Sequence, residues 1–317
     1  MFLMNQTQKR LSVRGVTRSW RALNGGAILL LTVLLLPHAV LSSPQKKKSP
    51  PAPPPSSSSP ALTRTTTRHE VRRFGYGGAL VIYGAPQGSI TVEAWTKNEI
   101  DVTADIELRA NTEEELTRLA AVNGFVFDAQ PNRIEILTTG THDRKYMKRV
   151  ARDFPKHLLA LPWKIDYRIR VPVAIELEIS AGRGALNVSG VEGAIRLNAG
   201  ESAAALALTG GDVTVTIERG TIDVNIVARS WRGRGAEIRL AGGDLNVTLP
   251  TNANADINAE VLRTGRVENT HPALVARDEN APASERSQHL RAGAGGATLN
   301  FTVGDGTLRI KQENGKQ

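Results

Sequence analysis

A nine-residue repeat constrains the fold of this chain more than any other feature of its sequence. Five copies follow one another without a gap between residues 184 and 228: GALNVSGVE, GAIRLNAGE, SAAALALTG, GDVTVTIER and GTIDVNIVA. In every copy the third and fifth positions are apolar, and the residue between them is mostly polar. Such alternation is typical of a β-strand with one buried face, and a leading glycine permits a sharp turn. Each copy therefore predicts a short strand and a turn.

A single strand of this kind cannot bury its own apolar face. The copies are therefore expected to stack, with strands about 4.8 Å apart around a shared aliphatic core. This predicts a mainly β fold, specifically a single-stranded β-solenoid that resembles a β-helix. Aromatic residues make up only 4% of the chain, which agrees with a narrow aliphatic core. The polar middle positions are expected to form one row on an outer face: Asn187, Arg196, Ala205, Thr214 and Asp223.

Residues 1–43 have the organisation of an export signal. A basic segment up to Arg21 precedes an apolar run at residues 25–41. The run is short for a membrane-spanning helix of about 20 residues and contains Pro37, which favours a cleaved signal peptide. The alternative is an uncleaved anchor, through which the protein would associate with a membrane. Both interpretations place the rest of the protein outside the cytoplasm.

The next segment, residues 44–68, is rich in proline, serine and lysine and has no periodicity. This composition predicts a disordered, extended linker, because it cannot bury enough apolar surface to fold. The folded domain is predicted to occupy residues 69–317.

Within that domain, one short α-helix is expected at residues 111–124. Three acidic residues stand in its first turn, apolar residues recur at helical spacing, and an Asn-Gly pair ends it. The helix should cover an end or a side of the sheet. Two short alternating runs, at 125–128 and 134–137, then predict a β-hairpin.

The net charge of +9 is concentrated near the amino terminus. Eight of the 40 Lys and Arg residues lie in residues 1–60, which contain no acid, so 32 remain against 31 Asp and Glu. Binding to nucleic acid needs a basic face on the folded domain, so we do not expect a nucleic-acid partner.

Residues 142–157, HDRKYMKRVARDFPKH, interrupt the strands with six Lys or Arg against two Asp. A contact to phospholipid headgroups or to an acidic glycan is the functional hypothesis for this insert. A solvated loop or short helix without a ligand is the alternative. The candidate ligand contacts are Arg144, Lys145, Lys148 and Arg149.

A second candidate follows the repeat, where a loop places Trp231 among arginines. Trp231 could stack on a sugar ring while Arg232 and Arg234 hold an acidic group. In the alternative interpretation, the tryptophan packs on an arginine stem and has only a structural role.

The residues needed for common catalytic sites are missing. There is no cysteine, which excludes disulfides, thiolate metal sites and a lipidated cysteine. The six histidines lack metal-ligand spacing, and neither a nucleophile elbow nor a phosphate-binding glycine loop occurs. We therefore expect no cofactor, no metal and no catalytic residue. A polysaccharide-active β-helix enzyme stays open as an alternative, because acids from separate loops could meet.

The order of elements resembles a known family. An early helix is followed by a strand ending in Val171-Pro172, by the glycine-led repeats, by GDLNVTLP at residues 243–250 and by GDGTLRI at residues 304–310. Over residues 70–312 this order resembles the bacterial putative-adhesin family. Its members are exported, glycine-rich β-solenoid domains of unknown biochemical role, some of them associated with envelope-stress operons. The resemblance implies the fold and supplies no catalytic residue.

Together these features predict a non-enzymatic, extracytoplasmic binding or adhesion module of the bacterial cell envelope. Its partner would be an envelope polymer or an envelope protein, since regular outer faces suit extended ligands. The alternative is a regulatory partner in an envelope-stress system, which would contact a membrane protein instead of a glycan. The periplasm, the cell surface and the medium are all compatible with these features.

Overall fold

The computed structural model describes residues 60–75, 77–277 and 284–313. Over these ranges the chain forms one large mixed sheet, mostly parallel, and two short α-helices. The strands are β1 (Leu62–Arg73), β2 (Ala79–Tyr83), β3 (Ile90–Trp95), β4 (Glu99–Ala110), β5 (Gly124–Gln130), β6 (Arg133–Thr139), β7 (Trp163–Pro172), β8 (Glu176–Ser189), β9 (Ala194–Leu208), β10 (Gly210–Ile226), β11 (Arg232–Leu249), β12 (Ala255–Asn269), β13 (Leu274–Ala276), β14 (Ser287–Ala292) and β15 (Thr298–Gln312). The helices are α1 (Glu113–Val122) and α2 (Arg144–Val150), and a 3-10 turn spans Lys156–Ala160.

The central strands β8, β9 and β10 pair in parallel, and each residue lies beside the residue 18 positions later, which is the length of two repeat copies. Leu177 of β8 lies beside Ile195 of β9, which lies beside Val213 of β10, 18 residues apart each time. The second halves of β8 and β9 keep this step, since Leu186 pairs with Ala204. Two nine-residue copies therefore form one long strand.

The third and fifth positions of the five copies form the core, as predicted. Each of these ten side chains is at most 2% exposed, and both halves of every long strand contribute to one continuous hydrophobic cluster. Burial of one Val, Leu or Ile side chain contributes about 1.5–3 kcal/mol, so the repeat itself supplies a large part of the stability of the sheet.

Glycine stands between the two halves of β8, β10 and β11, whereas Ser202 takes this position in β9. Gly184, Gly220 and Gly243 have φ values of 143°, 137° and 131°, which side chains rarely allow. A Cβ atom on Gly220 would lie 1.9 Å from the carbonyl oxygen of Ser202 on the neighbouring strand. Of the predicted turns, the one at Gly193 separates β8 from β9, whereas those at Gly184 and Gly220 are bends inside a strand.

The five middle positions do not form the single polar row that was predicted. Asn187, Ala205 and Asp223 are aligned in the second halves of three strands, whereas Arg196 and Thr214 are aligned in the first halves. The reason is the step of two copies, which places consecutive copies in different halves of a strand.

The sheet divides into two branches at β8. Its first half pairs with β2, which continues to β6 and β5, and its second half pairs with β3, which continues to β7, β4 and β1. Helix α1 connects the branches and buries Leu116, Leu119 and Val122, while the Thr112 side chain caps it by accepting a hydrogen bond from Glu115 N–H. The predicted helix is confirmed, and β5 with β6 confirms the hairpin.

The sheet begins earlier in the chain than predicted. Strand β1 starts at Leu62, which pairs with Ala110 of β4, so the sheet includes residues assigned above to the linker 44–68. Threonine accounts for the difference, because this β-branched residue favours strands and recurs in the first half of β1. The predicted signal or anchor, residues 1–43, lies outside the described residues. In the ranges described, no helix is both long enough and apolar enough to cross a membrane.

Candidate functional site: a cationic groove at helix α2

The basic insert folds into α2 and the 3-10 turn, so the domain contains a second helix beyond the one predicted. Asp143 starts α2, since its Oδ1 atom accepts hydrogen bonds from the N–H groups of Tyr146 (3.0 Å) and Lys145 (2.8 Å). These bonds favour the ionised carboxyl and hold the pKa of Asp143 below its ordinary value. Met147 anchors the helix in the protein and Leu158 anchors the turn, because both are buried.

A groove of about 390 Å³ lies between α2 and the 3-10 turn, and we call it the α2 groove. Its apolar lining comes mainly from Met147, Phe154 and Leu159, of which Leu159 is 41% exposed. Cationic side chains line the same groove, spaced four residues apart along the chain: Arg144, Lys148, Arg152 and Lys156. Residues four apart lie on one side of a helix, which brings the first two together.

Among the described residues, no carboxylate lies within 4.0 Å of these four cations. The acids of the nearby helix α1 have other partners, because Glu114 pairs with Arg118 at 2.7 Å and Glu115 lies 3.5 Å from His157. Asp143 is occupied as the cap of α2. The α2 groove therefore combines an apolar lining with positive charge that is not neutralised from within.

Sequence patterns indicated only part of this groove. Helix α2 carries the four predicted cations: Arg144, Lys145, Lys148 and Arg149. The first and third of these line the groove, and the other two do not. The four-residue spacing could have indicated Arg152 as well. No sequence pattern indicated the apolar lining, because it depends on how residues 154–159 turn back towards the helix.

The Trp231 loop offers no exposed aromatic surface. Trp231 is 8% exposed and belongs to the hydrophobic core, and its Nε1 atom donates a hydrogen bond to the carbonyl oxygen of Gly211 at 3.0 Å. The ring is therefore not available to stack on a sugar, and its contacts stabilise the end of the repeat.

The two arginines beside it are also engaged. Arg232 pairs with Glu192 at 2.7 Å and Arg234 pairs with Asp212 at 2.5 Å. Arg232 and Arg234 lie in β11, whereas α2 and its groove lie in the connection that leads into β7. Four strands stand between β7 and β11 in the sheet: β3, β8, β9 and β10. The two predicted contact regions are therefore separate.

A depression of about 510 Å³ lies over small side chains of β9, chiefly Ala205 and Ala207. Asn187 and Asp223 border it, and Asp223 already accepts a hydrogen bond from Asn246 at 2.8 Å. Its lining mixes neutral amides with one acid and one lysine, so it does not select ligands of one charge.

Several carboxylates on the outer faces are paired with basic groups, and Asp305 is one of them. Asp305 accepts hydrogen bonds from Arg263 and Thr264, both at 2.6 Å, which lower its pKa to about 2. A general acid in a glycosidase instead needs a raised pKa, so this carboxyl is unsuited to that role. Within the described ranges, no three His, Asp or Glu residues lie close enough together to hold a metal ion.

No protein-family model matches the chain, and no curated protein sequence matches it. Among solved structures, a putative cell adhesion protein from Clostridium sporogenes ATCC 15579 is 14% identical with a TM-score of 0.42, and the match covers 79% of this chain and 100% of that one. A putative adhesin from Bacteroides fragilis NCTC 9343 is 12% identical with a TM-score of 0.31, and the match covers 79% and 97% of the two chains. The structural neighbours are thus bacterial proteins described as putative adhesins or cell adhesion proteins, at low sequence identity.

Proposed function

We propose that the protein is a non-enzymatic binding module of adhesion type, located outside the cytoplasm, which contacts an anionic component of the cell envelope through the α2 groove. The observation that carries this proposal is the cluster of four exposed cations without internal carboxylate partners. Several exposed arginines elsewhere on the sheet are held by acids, as Arg232, Arg234 and Arg263 are.

The difference between paired and unpaired cations matters for binding. An arginine that already holds a carboxylate must give up that contact before it can hold an external anion. An unpaired cation gives up only water, and several such cations in one concave site add their potentials and raise the local concentration of anions. The α2 groove meets both conditions.

We interpret the parallel stack of strands as a β-solenoid that carries this groove. The step of 18 residues from β8 to β9 and from β9 to β10, together with the glycines of positive φ, supports this architecture. In a solenoid each coil contacts only its neighbours, so an insert such as the one between β6 and β7 can differ without disturbing the stack. The export-type sequence of residues 1–43 supports a location outside the cytoplasm, and an uncleaved run at residues 25–41 would add a membrane anchor.

Binding of the full chain to fluorescent dextran sulfate, with neutral dextran as the reference, tests this proposal. Replacing Arg144 and Lys148 by glutamine should weaken binding to the sulfated polymer by at least tenfold, and added salt should weaken binding by the parent. The matched control, Arg232→Gln with Arg234→Gln, removes the same charge from paired positions and should change the affinity by less than twofold.

Equal losses in the two double variants would show that binding follows net charge and not the α2 groove, which would overturn the proposal. If no polymer bound and cross-linking at Lys148 in intact cells captured one membrane protein, the regulatory alternative would replace it.

A further inference from the structure

The apolar lining of the α2 groove identifies the class of anion more narrowly. We infer, building on the proposed function, that this region is a contact site for an anionic membrane surface. The cations would hold phospholipid phosphates, and the apolar side chains would enter the boundary between headgroups and acyl chains. A polysaccharide partner would use the cations alone.

Large apolar side chains are exposed beside the cations. Val150, at the end of α2, is 50% exposed, and Leu159, in the 3-10 turn, is 41% exposed. Phe154 lies between them in the chain and is partly buried against the core. Exposing such side chains to water is unfavourable, and a ligand with an apolar part would remove that cost.

A second hollow of about 500 Å³ shares part of its lining with the α2 groove. Phe154 and Arg152 line both hollows, while Tyr146 and Val150 line only the second. Tyrosine is enriched at the boundary between water and lipid, because its ring is apolar and its hydroxyl is polar. Asp153 is the one acid that lines either hollow, so the combined surface stays positive.

The chemistry of the two parts fits an anionic lipid better than a soluble polyanion. A lipid phosphate accepts hydrogen bonds from Arg144 and Lys148, and the same molecule carries an acyl chain that can cover Leu159. A sulfated or carboxylated polysaccharide has charge but no acyl chain, so Leu159 and Val150 would remain exposed to water in the complex. Only an amphipathic anion uses every feature of this surface.

Sedimentation of the full chain with vesicles tests the inference. Vesicles of phosphatidylcholine with about 30% phosphatidylglycerol should bind more protein than vesicles of phosphatidylcholine alone. Binding to the neutral vesicles measures the contribution of the apolar run at residues 25–41, which does not depend on lipid charge. The variant Val150→Asn with Leu159→Asn keeps every charge and should lower binding to the anionic vesicles by about tenfold. Dextran sulfate binding by Val150→Asn alone, a residue that does not line the α2 groove, should stay within twofold of the parent. Val275→Asn, which changes an exposed valine on β13, serves as the control and should bind like the parent.

The outcomes separate this inference from the proposed function. Dextran sulfate binding that requires Arg144 and Lys148, without preference for anionic vesicles, would overturn the lipid inference and leave the proposed function intact. Preference for anionic vesicles that the apolar variant does not reduce would also overturn it, because the contact would then be purely electrostatic. If neither probe depended on Arg144 and Lys148, both ideas would fail.

Discussion

The Trp231 loop and the α2 groove look alike in sequence, since both place aromatic and basic residues in an interruption between strands, but they differ in structure. The tryptophan of the first is buried, and Arg232 and Arg234 have carboxylate partners. The second keeps cations such as Arg144 and Lys148 unpaired beside exposed apolar side chains. A basic residue binds a ligand at lower cost where the fold brings no acid to it.

The acids that make this difference are distant in sequence. Glu192 is 40 residues from Arg232, and Asp212 is 22 residues from Arg234. For the second pair, parallel pairing of neighbouring strands is the cause, since Asp212 of β10 lies beside Gly235 of β11, the residue after Arg234. The insert at α2 lies outside the parallel stack, so no neighbouring strand supplies acids to it.

The largest expected effect is a loss of stability when Trp231 is removed, and it distinguishes a structural role of this residue from a binding role. Trp231→Ala removes a buried ring and leaves a cavity, so we expect the free energy of unfolding to fall by about 3–5 kcal/mol, measured by urea denaturation. Dextran sulfate affinity, measured where the variant is still folded, should match that of the parent. A variant with parental stability and lost affinity would reverse the assignment of the two regions.

The next prediction gives the α2 groove an acid of its own. Ala151 lines the groove beside Arg152, so Ala151→Glu should pair with the cations and lower dextran sulfate affinity by about tenfold, measured by fluorescence anisotropy. Ala151→Gln has nearly the same shape without the charge and should bind within twofold of the parent. An equal loss of affinity in the two variants would mean that the larger side chain blocks the site, contrary to the electrostatic account.

The opposite change should make the Trp231 loop resemble the α2 groove. Glu192→Gln with Asp212→Asn frees Arg232 and Arg234, and we expect dextran sulfate affinity to rise by about two- to fivefold. Because the two ion pairs are exposed, the free energy of unfolding should fall by only ~0–1 kcal/mol per pair. Adding Arg232→Gln and Arg234→Gln should abolish the gain. No gain in affinity would show that two freed cations on a strand are insufficient without the other cations and the concave shape of the α2 groove.

Much of the fold could be predicted because local periodicity decides which side chains are buried. Leu186 and Val188 follow an alternation that any reader of the sequence can see, and both are at most 2% exposed. Periodicity does not decide which strands become neighbours. Strand β15 is last in sequence but lies between β11 and β12, and no local pattern indicates this insertion.

The candidate site was less predictable for the same reason. Composition indicated a basic segment and four candidate cations, but not which of them share a groove. Whether these charges stay unpaired depends on the acids that the fold places nearby, and whether Trp231 is exposed depends on its contact with Gly211, 20 residues away. Both properties arise from tertiary contacts and were visible only in the structure.

The smallest expected effect concerns the cap that holds the groove in shape. The pKa of Asp143 is lowered in the folded protein, so the cap stabilises α2 fully above the ordinary pKa of about 4 and is lost as the pH falls through the lower folded value. Hydrogen exchange of the Met147 and Ala151 amides, which donate to Asp143 and Met147 carbonyls, reports on this helix. After correction for intrinsic rates, their protection should fall a few-fold between about pH 6 and pH 3. Asp143→Asn retains a capping side chain without a titrating group, so its protection should not change over this range, whereas Asp143→Ala should be less protected throughout. A parent whose protection matched that of Asp143→Ala at every pH would show that α2 is held by Met147 packing alone, and that the cations of the groove do not depend on the cap for their positions.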